Sequence, residues 1–408
     1  MIGIIGCGAS GMVAAIYAAR AGASVTILEH NEKPGRKILA TGNGHCNLTN
    51  EEQGIENYRG EDTATIREIL VGFTKEDELA LFAELGVPTT CKRGYWYPRT
   101  GQAATVATAL AEELARLRVR ILYGTNVTAV RAEKNAFTVA AVTGDGPRDY
   151  TFDKLVLACG GPAGDRLGQS DDGFRMLRKL GVPISPVMPA LVPLCLENRL
   201  AKTISGVRTE ASVTLCCGGR EYREQGEIVW TDYGISGIPV MQLSGFASEA
   251  LSEKTPVTIR LDFMSEYTRE QLLTELVDRT KSPYTAQRDA EGALSGFVPG
   301  KLTYALLKRA GIDEKTPASG LTEEKLGAFA EQLKAMTLTV TDTRGFAYAQ
   351  VAKGGVPLTE IDGRTMELRR IPGLYVTGEL LAMDGNCGGY NLQWAFATGA
   401  IAGRSLGR

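Results

Sequence analysis

The sequence predicts an α/β fold with a doubly wound parallel sheet, and three local observations carry that prediction. An apolar run at residues 2–5 leads into Gly6-x-Gly8-x-x-Gly11. An Ala-rich helical pattern follows from Val13 to Ala21, and the β-branched run at residues 24–28 ends in Glu29. After a strand and before a helix, such glycines serve a tight turn, close approach of a pyrophosphate and close packing of the helix on the sheet. The chain therefore begins with a Rossmann-type dinucleotide-binding unit.

The same segment predicts how the adenosine half of a dinucleotide is bound. The pyrophosphate is expected at the helix N-terminus, beside Gly8, Ala9 and Ser10, where backbone N–H groups are free. Glu29 has the position of a carboxylate that accepts hydrogen bonds from the ribose hydroxyls. His30 follows it directly, and we expect this residue on the adenine side or at the surface.

Composition excludes several classes of protein. The 408 residues are 44% hydrophobic and 23% charged, with a formal net charge of −2, so nucleic acid is not an expected partner. No apolar stretch is long enough for a membrane span and no signal peptide is recognisable, which favours a cytoplasmic location. The eight cysteines lack zinc-type spacing and the chain has two histidines, so no metal site is predicted. The sequence leaves the oligomeric state open.

Periodicity organises the chain into two kinds of region. Helical patterns cover Ala64–Leu85 and Ala103–Leu117, and alternating runs at residues 120–123, 127–130, 137–142 and 150–152 predict a β-meander. A buried strand at residues 154–159 then runs into Cys159-Gly160-Gly161, either a second approach of backbone to the cofactor or a simple turn. From about residue 192 to 340, strand-like runs are followed by helical patterns, which indicates a second domain that covers the substrate.

The C-terminal segment favours a flavin over a nicotinamide as the resident cofactor. A strand ending in Gly378-Glu379 is followed by Gly388-Gly389, which opens a helix through Tyr390, Asn391 and Leu392. Hydride arrival at a flavin builds negative charge on its pyrimidine edge, and free backbone N–H groups at a helix N-terminus stabilise that charge. A nicotinamide ring develops no such anion, so we predict FAD.

A glycine-, cation- and amide-rich segment after Glu29 fits the same cofactor. Arg36 and Lys37 can pair with the pyrophosphate. The segment from Gly42 to Asn47 can run its backbone and amide groups along the ribityl chain and the ring. A solvated loop with a basic pair is the alternative for this segment taken alone. The residues of the segment that we expect to touch FAD are Arg36, Lys37, Thr41, Gly42, Gly44, His45, Cys46, Asn47 and Thr49.

These motifs together resemble one family of NAD(P)/FAD-dependent oxidoreductases, which includes BaiN-like flavoproteins and aminoacetone oxidase. The resemblance spans essentially the whole chain. It is carried by residues 35–50, residues 230–237, Gly354-Gly355-Val356 before Glu360, Gly378-Glu379 and residues 388–394.

The resemblance implies an FAD domain with a β-barrel-like insert and a small helical cap. We therefore assign residues 1–190 and 341–408 to the FAD-binding domain, 191–264 to the β-rich insert and 265–340 to the cap. The resemblance also implies that Val127 contacts the adenine. The chain departs from the family pattern at His45, Leu368 and Ala382, where relatives often carry Arg, Ser and Asp, respectively. Of these positions, His45 and Ala382 lie near the expected flavin.

Two residues are candidates for catalysis. His45 lies in the predicted flavin loop, where an imidazole can donate to the ring or titrate near neutral pH, and a structural hydrogen bond is the alternative. Tyr233, in Thr231-Asp-Tyr-Gly-Ile-Ser236, can protonate the carbon next to the one that receives a hydride. Alternatively, Ser236 of this segment caps the helix that follows. The cluster Tyr95-Trp96-Tyr97 forms either an apolar wall for a substrate or ordinary packing.

The leading hypothesis is an FAD-dependent oxidoreductase that acts on a small molecule. No second glycine fingerprint is visible, so NAD(P)H is expected as a transient reductant. The resemblance favours reduction of a conjugated C=C bond in a hydrophobic, steroid-like or bile-acid-like enone. An aminoacetone-type amine oxidase that releases peroxide, a nicotinamide-only dehydrogenase, and a flavin-binding redox sensor or tRNA-modifying module remain as alternatives.

Overall fold

The computed structural model describes residues 1–164, 170–197 and 200–407. Its strands are β1 (Ile2–Ile5), β2 (Val25–Leu28), β3 (Thr49–Asn50), β4 (Tyr58–Arg59), β5 (Thr89–Lys92), β6 (Tyr95–Pro98), β7 (Arg120–Leu122), β8 (Asn126–Ala132), β9 (Phe137–Thr143), β10 (Gly146–Phe152), β11 (Lys154–Leu157), β12 (Met188–Ala190), β13 (Leu194–Leu196), β14 (Arg208–Cys217), β15 (Arg220–Trp230), β16 (Gly234–Ser236), β17 (Val257–Asp262), β18 (Met336–Thr343), β19 (Val351–Lys353), β20 (Leu374–Val376) and β21 (Asp384–Gly385). Its helices are α1 (Ala9–Arg20), α2 (Arg36–Ala40), α3 (Thr63–Gly72), α4 (Lys75–Glu84), α5 (Ala103–Arg116), α6 (Asp172–Lys179), α7 (Leu200–Thr203), α8 (Ile238–Ser252), α9 (Arg269–Lys281), α10 (Ala290–Leu294), α11 (Gly300–Arg309), α12 (Glu323–Ala335) and α13 (Tyr390–Leu406).

The chain divides into two compact units. The nucleotide unit comprises Met1–Met188 and Gln350–Arg408, and the inserted unit comprises Pro189–Ala349. The nucleotide unit is thus built from both ends of the chain. The finer predicted division of the insert into a β-rich domain and a helical cap stays a prediction.

A parallel sheet forms the centre of the nucleotide unit. Across the described residues its strand order is β20-β11-β1-β2-β7, and every neighbouring pair is parallel. All residues of β1 and β2 are buried, as expected for strands covered on both faces, which explains their nearly continuous apolar sequence. The predicted Rossmann-type fold is confirmed.

The structure differs from the expected meander at its first strand. β7 (Arg120–Leu122) pairs in parallel with β2 and forms an edge of the parallel sheet. The following strands β8, β9 and β10 form a separate antiparallel sheet. A short strand fits either arrangement, so its sequence alone did not distinguish the two.

The helical pattern over residues 64–85 is broken into two helices. Phe73 has an extended backbone with φ −152° and ends α3. Thr74 then caps α4: its side chain accepts from the Asp77 N–H, and the Asp77 carboxylate accepts from the Thr74 N–H. This reciprocal cap satisfies two orphan backbone donors, which favours a new helix start over continuation.

The inserted unit is centred on a closed barrel. Among the described residues its strands follow the order β13-β16-β15-β14-β17-β18. Burial alternates along β17, so every second side chain faces the core, as a barrel wall requires. Helices α9 to α12 contribute buried leucines to the same core cluster as the barrel.

Candidate functional site

The glycines of the first turn have three different surroundings. Gly6 has φ +102°, and a Cβ there would lie 2.6 Å from the carbonyl oxygen of Ala158. A Cβ on Gly11 would collide with the Gly6 carbonyl oxygen. A Cβ on Gly8, in contrast, would meet no protein atom within 4 Å. Gly6 and Gly11 thus allow close packing of strand and helix, whereas Gly8 borders open space at the N-terminus of α1.

That N-terminus has the character of an anion site. Ala9 and Ser10 are the first residues of α1, and the N-cap Gly8 has no side chain to satisfy the orphan N–H groups. Such groups and the helix dipole favour a negatively charged ligand. The arrangement agrees with the predicted place of the pyrophosphate.

The Glu29 carboxylate is buried and ties the turn after β1 to the segment after β2. Oε2 accepts from the Cys7 backbone N–H at 2.6 Å, and Oε1 accepts from the Asn31 N–H at 2.8 Å and from Asn31 Nδ2 at 2.7 Å. Because a carboxylate offers about four lone-pair sites, capacity for a ribose hydroxyl remains. Sequence reasoning missed Asn31, although an amide two residues after an acid is a common local pairing.

Of two further predicted adenine-side residues, one neighbours Glu29 in sequence and the other follows a segment that is hydrogen-bonded to Glu29. His30 is exposed, and its Nδ1 lies 3.2 Å from Glu29 Oε1. Val127 is buried in β8, two residues after Thr125, whose N–H donates to the Glu29 carbonyl oxygen. Their contact with a nucleotide stays a prediction.

The two cations of the predicted flavin segment have different partners. Lys37 Nζ lies 2.6 Å from Glu379 Oε2. Arg36 is exposed and donates from Nη1 to Asn31 Oδ1 at 3.0 Å. Thr41 donates to the Lys37 carbonyl oxygen at 2.9 Å. Lys37 is thus half-buried and pairs with Glu379, a residue far away in sequence. The sequence did not indicate this pair.

His45 is exposed, and a backbone carbonyl sets its tautomer. Its Nδ1 lies 2.8 Å from the Gly101 carbonyl oxygen. A carbonyl can only accept, so Nδ1 carries the proton, and in the neutral ring Nε2 is the acceptor. The structure thus shows the structural hydrogen bond that was one of the two expectations, and a catalytic role for Nε2 stays a prediction.

The turn from Gly42 to Asn47 is compact and partly buried. Gly42, Gly44 and Cys46 all have positive φ. Cys46 is fully buried, and burial, reinforced by the nearby Glu78 carboxyl, raises the pKa of its thiol to about 12. A thiol in this state is unreactive at neutral pH, so a packing role fits Cys46 better than redox sensing.

The carboxyl ends of β11 and β20 meet at Glu379. Oε1 of Glu379 accepts from the Ala352 N–H at 2.7 Å, and Oε2 accepts from the Gly161 N–H at 3.4 Å. Gly161 follows Cys159 and Gly160 after β11, and Gly378 follows β20. The Gly378 N–H donates to Thr398 Oγ1 at 3.0 Å. The predicted glycine turns therefore lie beside one another at one end of the parallel sheet.

The N-terminus of α13 packs on the segment that contains Thr49. A Cβ on Gly389 would lie 2.7 Å from Thr49 Cα, and Asn50 Nδ2 donates to the Gly388 carbonyl oxygen at 3.1 Å. Gly389 is the N-cap and has no side-chain cap, so the first N–H groups of the helix are available to a ligand. The opening residues of the helix are Tyr390, Asn391 and Leu392.

The residues present fit FAD on two independent observations. Gly8 leaves space at the α1 N-terminus, as described above. In addition, Asn47 Oδ1 and Thr377 Oγ1 are buried without a hydrogen-bond partner among the described residues. Both atoms belong to segments expected to line the cofactor, and buried polar atoms normally have partners. A polar ligand along these segments would supply them.

Glu78 is a buried acid that sequence reasoning did not single out. It lies on α4 with no exposed surface, and neither carboxyl oxygen has a partner in the described parts of the chain. Burial raises its pKa well above the ordinary value. Nothing in the local sequence distinguishes Glu78 from the less buried acids Glu76 and Asp77 beside it, because its burial results from packing of α4 in the folded unit.

The aromatic cluster at residues 95–97 forms a strand. β6 pairs with β3 at Thr49 and Asn50, and its aromatic side chains are half-buried. Trp96 Nε1 donates to Glu51 Oε2 at 2.8 Å. The packing interpretation therefore accounts for at least part of this cluster.

Tyr233 lies in the inserted unit, in the turn between β15 and β16. It is half-buried, and its carbonyl oxygen accepts from the Leu196 N–H at 3.0 Å. The N-cap of the following helix α8 is Gly237 with no side-chain hydrogen bond, so capping by Ser236 is not observed. All the other predicted site residues belong to the nucleotide unit.

The described residues contain no group of three or more His, Cys, Asp or Glu side chains arranged to hold a metal ion. None of the described helices is both long and apolar enough to span a bilayer.

The fold and the site together define a dinucleotide-binding α/β protein whose cradle fits FAD. A family model for the HI0933-like protein Rossmann domain matches residues 1–405, and the chain belongs to this family. It is an FAD-dependent oxidoreductase. The predicted family resemblance is confirmed.

Curated relatives cover the whole chain. The chain is 43% identical over 408 residues to the 3-dehydro-bile acid delta(4,6)-reductase of Clostridium scindens, covering 99% of this chain and 98% of the relative. It is 28% identical over 408 residues to the ribosomal RNA dihydrouridine synthase of Haemophilus influenzae, with the same coverage of 99% and 98%.

A solved structure shares the fold. The 3-ketosteroid delta1-dehydrogenase from Sterolibacterium denitrificans, in complex with 1,4-androstadiene-3,17-dione, superimposes with a TM-score of 0.51. The match covers 100% of this chain and 99% of that chain at 12% identity. At this identity the similarity concerns the fold alone.

Proposed function

We propose that this protein catalyses the NAD(P)H-driven reduction of a C=C bond conjugated to a carbonyl group in a hydrophobic, steroid-like or bile-acid-like substrate. The observation that carries the proposal is the 43% identity to the bile-acid reductase, which extends over 99% of the chain. The match covers the segments that build the FAD site as well as the inserted unit.

The second relative supports the same reaction type on a different substrate. Dihydrouridine is uridine with the C=C bond next to a ring carbonyl reduced, so both relatives are named for reduction of a conjugated C=C bond. The net charge of −2 favours a small molecule over ribosomal RNA, since RNA-binding proteins ordinarily carry a basic excess.

The FAD cradle assigns roles to residues of the nucleotide unit. Glu29 would hold the adenosine ribose and the N-terminus of α1 at Gly8 the pyrophosphate. The first turn of α13, at Tyr390 and Asn391, would stabilise negative charge on the flavin through its free N–H groups. Bound FAD supplies hydride chemistry, in which electrons from a reduced nicotinamide reach the substrate carbon.

Two side chains are proposed to handle protons. The phenol of Tyr233 would protonate the carbon next to the reduced position, because a hydroxyl is a competent general acid. His45, with Nδ1 held by the Gly101 carbonyl, presents Nε2 as its acceptor in the neutral ring. No second glycine fingerprint accompanies the one at residues 6–11, so NAD(P)H would bind transiently.

Anaerobic titration of the purified holoprotein tests this function. We expect NADH or NADPH to bleach the visible flavin absorbance, and a 3-oxo-Δ4 bile acid to restore it with formation of the saturated ketone. Bleaching by aminoacetone, followed by peroxide release in air, would instead indicate an amine oxidase. Absence of turnover with every enone and amine, in a protein that retains FAD, would favour the redox-sensor alternative.

A further inference from the structure

The inserted unit contains an arginine held by two aromatic rings. Arg344 follows β18, and its Cζ lies 4.1 Å from the ring centroid of Tyr233 and 4.1 Å from that of Tyr348. Its backbone N–H donates to the Pro193 carbonyl oxygen at 3.0 Å. The arginine is half-buried, so both its backbone and its side chain are held in place.

The guanidinium group of Arg344 lacks the hydrogen-bonded or ion-paired partner that a half-buried arginine normally has. Within the described residues it makes no hydrogen bond and no ion pair, and the Tyr233 hydroxyl also has no partner there. Two exposed arginines of the inserted unit, in contrast, have acidic partners: Arg208 pairs with Glu227 at 2.7 Å and Arg260 with Glu221 at 3.1 Å. Arg344 is thus a positioned cation whose N–H donors remain available.

The segment that leads to Tyr233 contains two further polar atoms without a hydrogen-bond partner. Trp230 Nε1 and Thr231 Oγ1 are buried without a partner in the part of the chain that the structure describes, and Trp230 is only 1% exposed. Polar groups buried in this way are uncommon in native proteins unless a ligand or ordered water meets them. The segment from Trp230 to Tyr233 is therefore rich in unused hydrogen-bonding capacity.

The chemistry of the Arg344 guanidinium favours a carboxylate as its ligand. The planar fork of a stacked guanidinium pairs with the two oxygens of a carboxylate, and the neighbouring rings suit an apolar skeleton attached to it. A phosphate dianion fits less well, because a single arginine faces it while the exposed acids Asp232 and Asp342 lie close in sequence to Tyr233 and Arg344.

We propose that Arg344, held by Tyr233 and Tyr348, binds the carboxylate of an apolar carboxylic acid substrate. The inference rests on the proposed function for the identity of that acid, since a bile acid is an apolar skeleton with one carboxylate. It assigns Arg344 and Tyr233 to the carboxylate end of the acid. For a bile acid this is an alternative to the proton-donor role of Tyr233, because the carboxylate lies at the opposite end of the skeleton from the conjugated ketone.

Calorimetric titration of the holoprotein with cholate and with methyl cholate tests the proposal. These probes share the skeleton and differ in the charge of the carboxyl group. We expect cholate to bind the native protein at least about tenfold more tightly than the ester, and Arg344→Gln to remove this difference. Arg344→Lys should restore only part of it, because an ammonium group lacks the planar fork.

Matched controls separate this inference from folding and from the reductase function. Arg208→Gln removes an exposed arginine of the same unit and should leave the preference for cholate unchanged. Flavin content and circular dichroism verify that each variant is folded. Equal binding of acid and ester, undetectable binding of both, or an undiminished preference in folded Arg344→Gln would overturn the proposal. Enone turnover, measured independently, tests the proposed function without reference to the carboxylate.

Discussion

Lys37 Nζ lies 2.6 Å from Glu379 Oε2, and this ion pair joins the segment after the second strand to the segment after the last strand of the parallel sheet. Glu379 also accepts backbone N–H groups from Gly161 and Ala352. One carboxylate therefore holds four separate segments at the predicted flavin end of the nucleotide unit. A charge-assisted arrangement of this kind favours a preformed cradle over one that the cofactor must order.

Removal of this carboxylate should weaken FAD binding. We expect Glu379→Ala to raise the dissociation constant of FAD about fivefold to tenfold, or about 1 kcal/mol, because the pair is half-buried and partly screened. Free FAD is measured by fluorescence across a dilution series. Lys37→Met is the matched variant, and a double-mutant cycle should give a coupling energy of about 1 kcal/mol. Strictly additive effects would show that the pair does not contribute to the cradle.

Gly8 and Gly11 should respond differently to the same substitution. Gly8→Val adds a side chain where no protein atom lies within 4 Å, so we expect a folded protein that does not retain FAD. Gly11→Val directs its Cβ into the Gly6 carbonyl oxygen, so we expect loss of soluble, folded protein. Flavin absorbance and circular dichroism distinguish the two results. A full flavin complement in Gly8→Val would overturn the pyrophosphate assignment.

Glu29 is expected to act on the adenosine half of the cofactor. Glu29→Ala should weaken FAD binding by about 1 to 3 kcal/mol, the usual cost of losing a buried, charged hydrogen-bonding group. FMN has no adenosine ribose, so its weaker binding should change much less. Equal losses for FAD and FMN would indicate that Glu29 acts only by tying Cys7 and Asn31 together.

Glu78 should make stability depend on pH. Its pKa is raised in the folded state above the ordinary value of 4.5, so above about pH 4.5 the unfolded chain loses a proton that the folded protein keeps. Below that pH the carboxyl is neutral in both states, and its ionisation does not lower the free energy of unfolding. As the pH rises from there toward the folded-state pKa, the free energy of unfolding falls. Glu78→Gln should therefore raise the free energy of unfolding at about pH 8 by roughly 1 to 2 kcal/mol, with a smaller gain at about pH 5.

Denaturant unfolding at both pH values measures this difference. Glu76→Gln, which replaces an exposed acid on the same helix, is the control and should show no comparable gain at high pH. A gain from Glu78→Gln that is equal at both pH values would contradict the assignment of a neutral buried carboxyl.

The sequence predicted those parts of the site that depend on neighbours along the chain. The glycine turn, Glu29 and the start of α13 were recognisable because each combines a strand end with a helix start. The break between α3 and α4 at Phe73 and Thr74 was also encoded locally, by the capping pair Thr74 and Asp77. The helical spacing of apolar residues, which continues across the break, concealed it. The pairs Lys37–Glu379 and Arg344–Tyr233 were not predictable, because each joins positions far apart in sequence. Such pairs exist only once the strand order and the loop paths are set.

The packing of α13 on α1 has a consequence for how the holoprotein is made. Gly399 and Gly403 bring the last helix against Ser10 and Ala14, and a Cβ on Gly399 would collide with the Ser10 carbonyl oxygen. The wall of the cradle behind the first turn is thus supplied by a helix that is translated only after the inserted unit. A nascent chain can form β1 and β2 early, but its FAD-binding site is incomplete until synthesis of this helix is finished. Flavin loading should accordingly follow the synthesis of α13.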